Sequence, residues 1–320
     1  ASSALLVSSY YDFKNYLGPH NNKNIFIKLM RSPRNLFFLH LFALATLEPS
    51  ALTISVGQTS ILVYLGVSFL IYGIVKNNHM AIIAGLTITL LKPQIGIILL
   101  IPFLFKRKYS IIAIKSIILS IIISLPAFFI APSTAFDWIA NIMRYDGLNS
   151  ANLAQSTTGI RHIVWDIFNL DIGNIKAMFI ALIAIVIFCL ILRLHKNQTN
   201  NLDLQKQSMF KMIILSIIVI MAIAPLHIYD FLLVGTVILL LPQARRLNAI
   251  AGFTGIILIW RADEVAKMTG VYGAGTEHFH GTTLTSIGAM LIFISITQLI
   301  FSNSISQSTQ TGSENNSQTG

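Results

Sequence analysis

Long apolar runs alternate with short polar connectors along this chain. The runs cover residues 36–56, 60–75, 80–105, 109–130, 177–194, 212–241, 249–260 and 284–301. A helix needs about 20 predominantly apolar residues to cross the hydrocarbon core of a bilayer, and several runs reach or approach that length. The pattern predicts an all-α fold, a polytopic transmembrane helical bundle of roughly eight to ten membrane segments.

Two runs carry a break. Residues 80–105 hold Lys92-Pro93 at their middle, and residues 212–241 hold Pro225, His227, Tyr229 and Asp230. Proline lacks a backbone donor and clashes with the preceding turn, so each break ends one helix and starts another. The longest polar stretch between membrane segments is residues 131–176. Residues 1–35 read as a cytoplasmic N-terminal segment and residues 36–301 as the membrane domain. Residues 302–320 are almost wholly Ser, Gln, Asn, Thr and Gly, too polar to bury a core and expected to be disordered. The first 24 residues contain no run resembling a signal peptide or a first span. An N-terminal part is expected to be missing.

Composition agrees with a bilayer as solvent. The chain is 54% hydrophobic and 11% charged, with a mean hydropathy of +0.72, outside the range of ordinary soluble domains. Its net charge of +10 does not indicate nucleic acid, because the basic residues lie in short connectors rather than on one soluble face. They act instead as topology signals. With both broken runs treated as hairpins, 15 Lys and Arg fall on one side and 5 on the other, the five being Arg144, Arg161, Lys176, Arg261 and Lys267. Making the first broken run a single crossing reduces the contrast to 11 against 9, so the first is a hairpin. The second gives 15 against 5 whether it crosses or returns. Both of these counts put residues 131–176 on the extracytoplasmic side. The single cysteine, Cys189, lies within an apolar run and excludes an intrachain disulfide.

Candidate chemistry concentrates at the breaks and in the outer loop. Lys92, deep in its run, needs a partner or a water-filled cavity, unless it only snorkels from a helix end. His227 and Asp230 share a face if their turn is helical, and serve either as base and orienting partner or as a structural pair freed by Pro225. Gln58, after Gly57 in a short outer turn, offers an amide for sugar hydroxyls, though the pair is also simply a turn. Glu48-Pro49 is a weaker acid candidate, with Lys115 as a possible partner. Arg144, Asn152, Gln155 and Arg161 in the outer loop are residue types that bind sugars and phosphates, and also residue types of any solvated loop. His278 and His280, with Glu277, have a spacing that admits a divalent cation, yet two histidines in a loop usually bind nothing.

Taken in order, Gly57-Gln58, Ala84-Gly85, Leu91-Lys92-Pro93, Lys106-Arg107-Lys108, Asn152 to Ser156 and Ala224-Pro225 with His227 and Tyr229-Asp230 resemble glycosyltransferase family 87. The resemblance implies a GT-C-like membrane fold. It also implies an enzyme of the bacterial plasma membrane that moves a hexose, mannose in most members, from a polyprenyl-phosphate carrier to a glycan or lipid acceptor on the outer face. Lys92 with Arg144 or Arg161 would then hold the phosphate. Gln58, Asn152 and Gln155 would contact sugar, His227 and Tyr229 would contact substrate, and Asp230 would take the acceptor proton. No cofactor is implied beyond an optional divalent cation, and the partners are the lipid donor, the acceptor and membrane lipids, with no nucleic acid. The resemblance departs at one point, since such enzymes carry their acidic residue in a first outer loop that these residues do not include. A secondary transporter with broken helices, another GT-C-like polymerase or ligase, and a non-catalytic membrane subunit are the alternatives.

Overall fold

The structure is a computed structural model and describes residues 1–16, 32–130, 154, 157–194, 202–269 and 281–317. All described elements are helical. Helix α1 (Ser2–Tyr16) leads to α2 (Pro33–Thr46) and α3 (Glu48–Val56). After them come α4 (Ser60–Lys76), α5 (His79–Leu90), α6 (Pro93–Leu104) and α7 (Arg107–Ile130). A short α8 (Ile160–Phe168) precedes α9 (Asn174–Leu194) and α10 (Leu202–Ile223). A 3₁₀ stretch, Ile228–Leu233, and one helical turn, Val234–Val237, lead to α11 (Arg246–Trp260), α12 (Ala262–Thr269) and α13 (Thr282–Ser317).

Local sequence explains the boundaries. Proline opens α2, α3 and α6 within the first turn, where its missing N–H costs no hydrogen bond. Helix α3 stops at Gly57, whose φ of +67° is a left-handed cap, and Asn77 ends α4 in the same way at φ 54°. Asn78 starts α5 by accepting a hydrogen bond from the Ala81 N–H at 3.1 Å. Between Thr46 and Glu48 the chain bends by 60°, so residues 36–56 form a bent pair rather than the straight segment expected.

At the centre lies α10. Every residue from Met209 to Ala222 is buried, as expected for a helix apolar on all sides. Around it α7 and α9 present exposed apolar faces, including Ile111, Ile114 and Ile118 on one and Phe179, Ile183 and Ile187 on the other. Four described helices are long and apolar enough to cross a membrane, within α7, α9, α10 and α13, and the bent pair makes a fifth. That is fewer than the eight to ten expected. The reason is that residues 60–75, 80–105 and 249–260 fold as shorter helices of 10–17 residues.

Both breaks are reversals. Thr87 on the third turn of α5 reaches the Ser116 carbonyl on the third turn of α7, and the Ser116 hydroxyl reaches the Ile83 carbonyl, each at 3.4 Å. Helix α6 packs against both α5 and α7, to which short turns join it, so it comes back between them and α5 and α7 run in parallel. Gly96 makes this possible: a Cβ there would sit 2.6 Å from the Leu90 Cα. At the second break, Lys211 near the middle of α10 reaches the Ile300 carbonyl at 3.4 Å. Beyond the far end of α10, a Cβ on Gly159 would lie 2.4 Å from the Ala224 carbonyl oxygen, and the Gly159 N–H donates to Ser286 at 3.2 Å. Thus α10 and α13 are antiparallel. Helix α11 is antiparallel to α13 as well, since Ser295 donates to the Asn248 carbonyl at 2.6 Å and Gly255 abuts Gly288. With α10 and α11 parallel, residues 224–245 must return to their starting end, which resolves what loop charge left open.

Leu6, Val7 and Tyr10 of α1 are buried in the core, where α1 packs against α4. The last helix, α13, is helical through Ser317, past the apolar stretch that ends at Phe301, so residues 302–317 continue it.

Candidate active site

The two reversals bring their tips to the same end of the bundle. Lys92 is the N-cap of α6, and its carbonyl accepts the Ile95 and Gly96 N–H groups at 2.9 and 3.0 Å. The side chain runs to the second reversal, where its ammonium forms an ion pair with Asp230. Ser60, the first residue of α4, joins them by donating to Asp230 Oδ1 at 2.6 Å and accepting from Lys92 Nζ at 3.1 Å. The Tyr229 ring lies 4.9 Å from the ammonium, within cation–π range, and stacks on the His227 ring at a centroid distance of 5.1 Å. Beneath them Thr53 donates to the Tyr229 carbonyl at 3.0 Å, tying the turn to α3. A buried pair of this kind repays its desolvation only when both ions are further hydrogen-bonded, as they are here.

A cavity of about 580 Å³ opens beside this cluster, within the usual range for small-ligand sites. Its polar lining is Lys92, Gln58, Gln94, Thr157, Asn174, His227 and Tyr229, and its apolar lining includes Ile175, Met178, Phe179 and Leu182, one face of α9. Phe179 is 60% exposed, and that face continues down α9 through exposed Ile183 and Ile187. Lys92 is the one Lys or Arg among the described lining residues.

Of the residues expected at a site, Lys92, Gln58, His227 and Tyr229 meet on the cavity wall, with Asp230 directly behind Lys92. Arg161 does not reach it. Fully buried, Arg161 donates to Asp171 from Nε and Nη2 at 2.7 and 2.6 Å and to Asn174 from Nη1 at 2.6 Å. It thereby positions Asn174, which does line the cavity. Hydrogen bonds from Arg161 hold the Asp171 carboxyl below its ordinary range. Nearby, the His162 Nδ1–H donates to the Ala154 carbonyl at 2.8 Å, while Nε2 lies 3.2 Å from Asp166, which also accepts from Thr283 at 2.8 Å. Burial pushes the Asp166 carboxyl up, but His162 and Thr283 outweigh it and hold the group below its usual value. Arg144, Asn152, Gln155, His278 and His280 lie outside the described residues. Among the described residues no group of three His, Cys, Asp or Glu is placed to hold a metal ion. Lys115 is exposed on α7.

Sequence reasoning missed Ser60, Gln94, Thr157 and Asn174. Only Gln94 carried a local signal, two residues from Lys92 on the first turn after the break. The others reach the site by tertiary contact alone.

The bundle thus joins its two reversals at Lys92, on the wall of a cavity that is part amide and part apolar. The glycosyltransferase family 87 model matches residues 24–220, more than half of the chain, and the chain belongs to that family. It is accordingly a multi-pass membrane glycosyltransferase. No curated protein and no solved structure gives a significant match.

Proposed function

We propose that the protein transfers a hexose, mannose in the first instance, from a polyprenyl-phosphate carrier to a hydroxyl of a glycan or lipid acceptor on the extracytoplasmic face. The observation that carries this reading is the division of the cavity, with one cation at the junction of an amide-bearing half and an apolar half. The donor has the same division: sugar, phosphate, then hydrocarbon. Lys92 binds the phosphate, Gln58, Gln94 and Asn174 contact sugar hydroxyls, and the stacked His227 and Tyr229 rings offer a sugar face a platform. The prenyl chain lies along Ile175, Phe179 and Leu182 and continues onto the lipid-facing side of α9.

In the reaction the acceptor oxygen attacks the anomeric carbon as the bond to the phosphate oxygen breaks, and the proton of the acceptor hydroxyl passes to the departing phosphate. The electron pair leaves on the phosphate, and Lys92 stabilises the charge gathering there, a contribution that grows toward the transition state. The excess of Lys and Arg in the connectors at the opposite end supports an outward direction for the reversal tips.

The test is transfer in membranes carrying the full-length protein, supplied with radiolabelled polyprenyl-phosphate-mannose. Label in glycan or lipid is expected for the native protein, with loss of about 100-fold or more for Lys92→Ala at equal protein level. Undiminished transfer by Lys92→Ala sinks the phosphate role.

A further inference from the structure

Asp230 is placed unlike a substrate base. Its carboxylate is 1% exposed and absent from the cavity lining, while the lysine it pairs with stands on the wall. Both of its oxygens are engaged: Oδ1 by Lys92 and Ser60, and Oδ2 by the His227 backbone N–H at 3.4 Å. A general base must come within hydrogen-bond reach of the proton it takes, and Lys92 occupies the space between Asp230 and the cavity. The same contacts suit another task. An ammonium in apolar surroundings tends to lose its proton unless an anion stands beside it. It carries three N–H donors, of which Asp230 and Ser60 take two, leaving the third for the cavity.

We infer that Asp230 and Ser60 are positioning residues that keep Lys92 charged and hold its ammonium at the cavity wall, outside the proton-transfer chemistry. This rests on the reading of Lys92 as the phosphate-binding group. The other groups around the ammonium do not substitute for Asp230. Tyr229 presents its ring face and His227 stacks behind it, both from the same turn. On α4, Tyr64 lies one turn below Ser60 and is engaged with His40. Arg161, beyond Asn174, is committed to Asp171.

Binding of dodecyl methyl phosphate, a phosphodiester whose own charge is constant from pH 6 to 9, tests the inference with full-length protein in detergent. Native protein is expected to bind with an affinity that varies less than about threefold between about pH 7.5 and 9, a window above the ordinary imidazole range chosen because His227 lines the same wall. In Asp230→Asn the ammonium has lost the anion beside it, so affinity is expected to fall by about tenfold or more as pH rises, and transfer to fall with it. Loss of a true base would instead lower kcat at every pH and leave binding pH-independent. Ser60→Ala, which keeps both charges, is expected to weaken binding about threefold or more at all pH values. A pH-independent affinity in Asp230→Asn overturns the inference. Should that variant not fold, native affinity in Ser60→Ala overturns it. Undiminished binding by Lys92→Met overturns the phosphate reading itself, a separate failure.

Discussion

A single ammonium in this protein answers to groups that lie far apart in sequence. Asp230 is 138 positions from Lys92 and Ser60 is 32. Lys92 itself stood out in the sequence because a charge deep in an apolar run needs an explanation. Its partners did not. Asp230 read as a base from its acidity and from its neighbour His227, whereas its orientation is set by how α4 and the second reversal pack. Tyr229 supplies the clearest test at this scale. Tyr229→Phe keeps the ring over Lys92 and the stack on His227, so the donor KM should change little. Removing the ring in Tyr229→Ala should raise that KM by about tenfold, since a desolvated cation–π contact contributes about 1–2 kcal/mol. Steady-state kinetics on the two variants separates the ring from the hydroxyl.

At the level of elements, close approach of backbones decides what can be exchanged. A Cβ on Gly66 would lie 2.9 Å from the Gly85 carbonyl oxygen, and one on Gly85 only 2.6 Å from the Gly66 oxygen. Helices α4 and α5 thus meet backbone to backbone, the small-residue packing that substitutes for hydrophobic drive within lipid. Gly85→Val should destabilise the detergent-solubilised protein by about 1–3 kcal/mol, read as a lower Tm, and should loosen Ser60 at the start of α4 with it. The polar segment from Ile160 to Asn174 obeys different physics. Asp171 is held below the normal carboxylate range by Arg161, so this pair contributes stability above about pH 4 that is lost as pH falls through the lowered value. Fluorescence of Trp165, with Trp138 and Trp260 replaced by Phe, should report an acid transition below about pH 4 that Arg161→Ala abolishes. Helix existence was readable from apolar runs and prolines. The bend at Leu47 and the burial of α1 were not, because both depend on what packs alongside rather than on local pattern.

For the whole molecule, topology reduces to which connectors share a surface. Loop charges required the first reversal and could not decide the second, since Arg245 and Arg246 trade sides with Arg261 and Lys267. The contacts of α13 with both α10 and α11 decide it. With Cys189 buried and replaced by Ser, single cysteines at Gln58, Leu91 and Asn169 should react with a membrane-impermeant thiol reagent from one side, and those at Asn77 and Lys106 from the other. Labelling of positions 91 and 77 from the same side would overturn the first reversal. The pairing of Lys92 with Asp230 also sets a schedule. A ribosome adding about 5–20 residues per second needs on the order of 10 s to go from one to the other. During that interval the hairpin tip holds a cation with no carboxylate beside it, and such a tip rests at the lipid headgroups, where a lysine can reach water. The nascent chain must keep its first reversal shallow until the second is made. A ribosome-arrested chain ending before Asp230 should therefore leave a cysteine at Leu91 more reactive than it is in the finished protein.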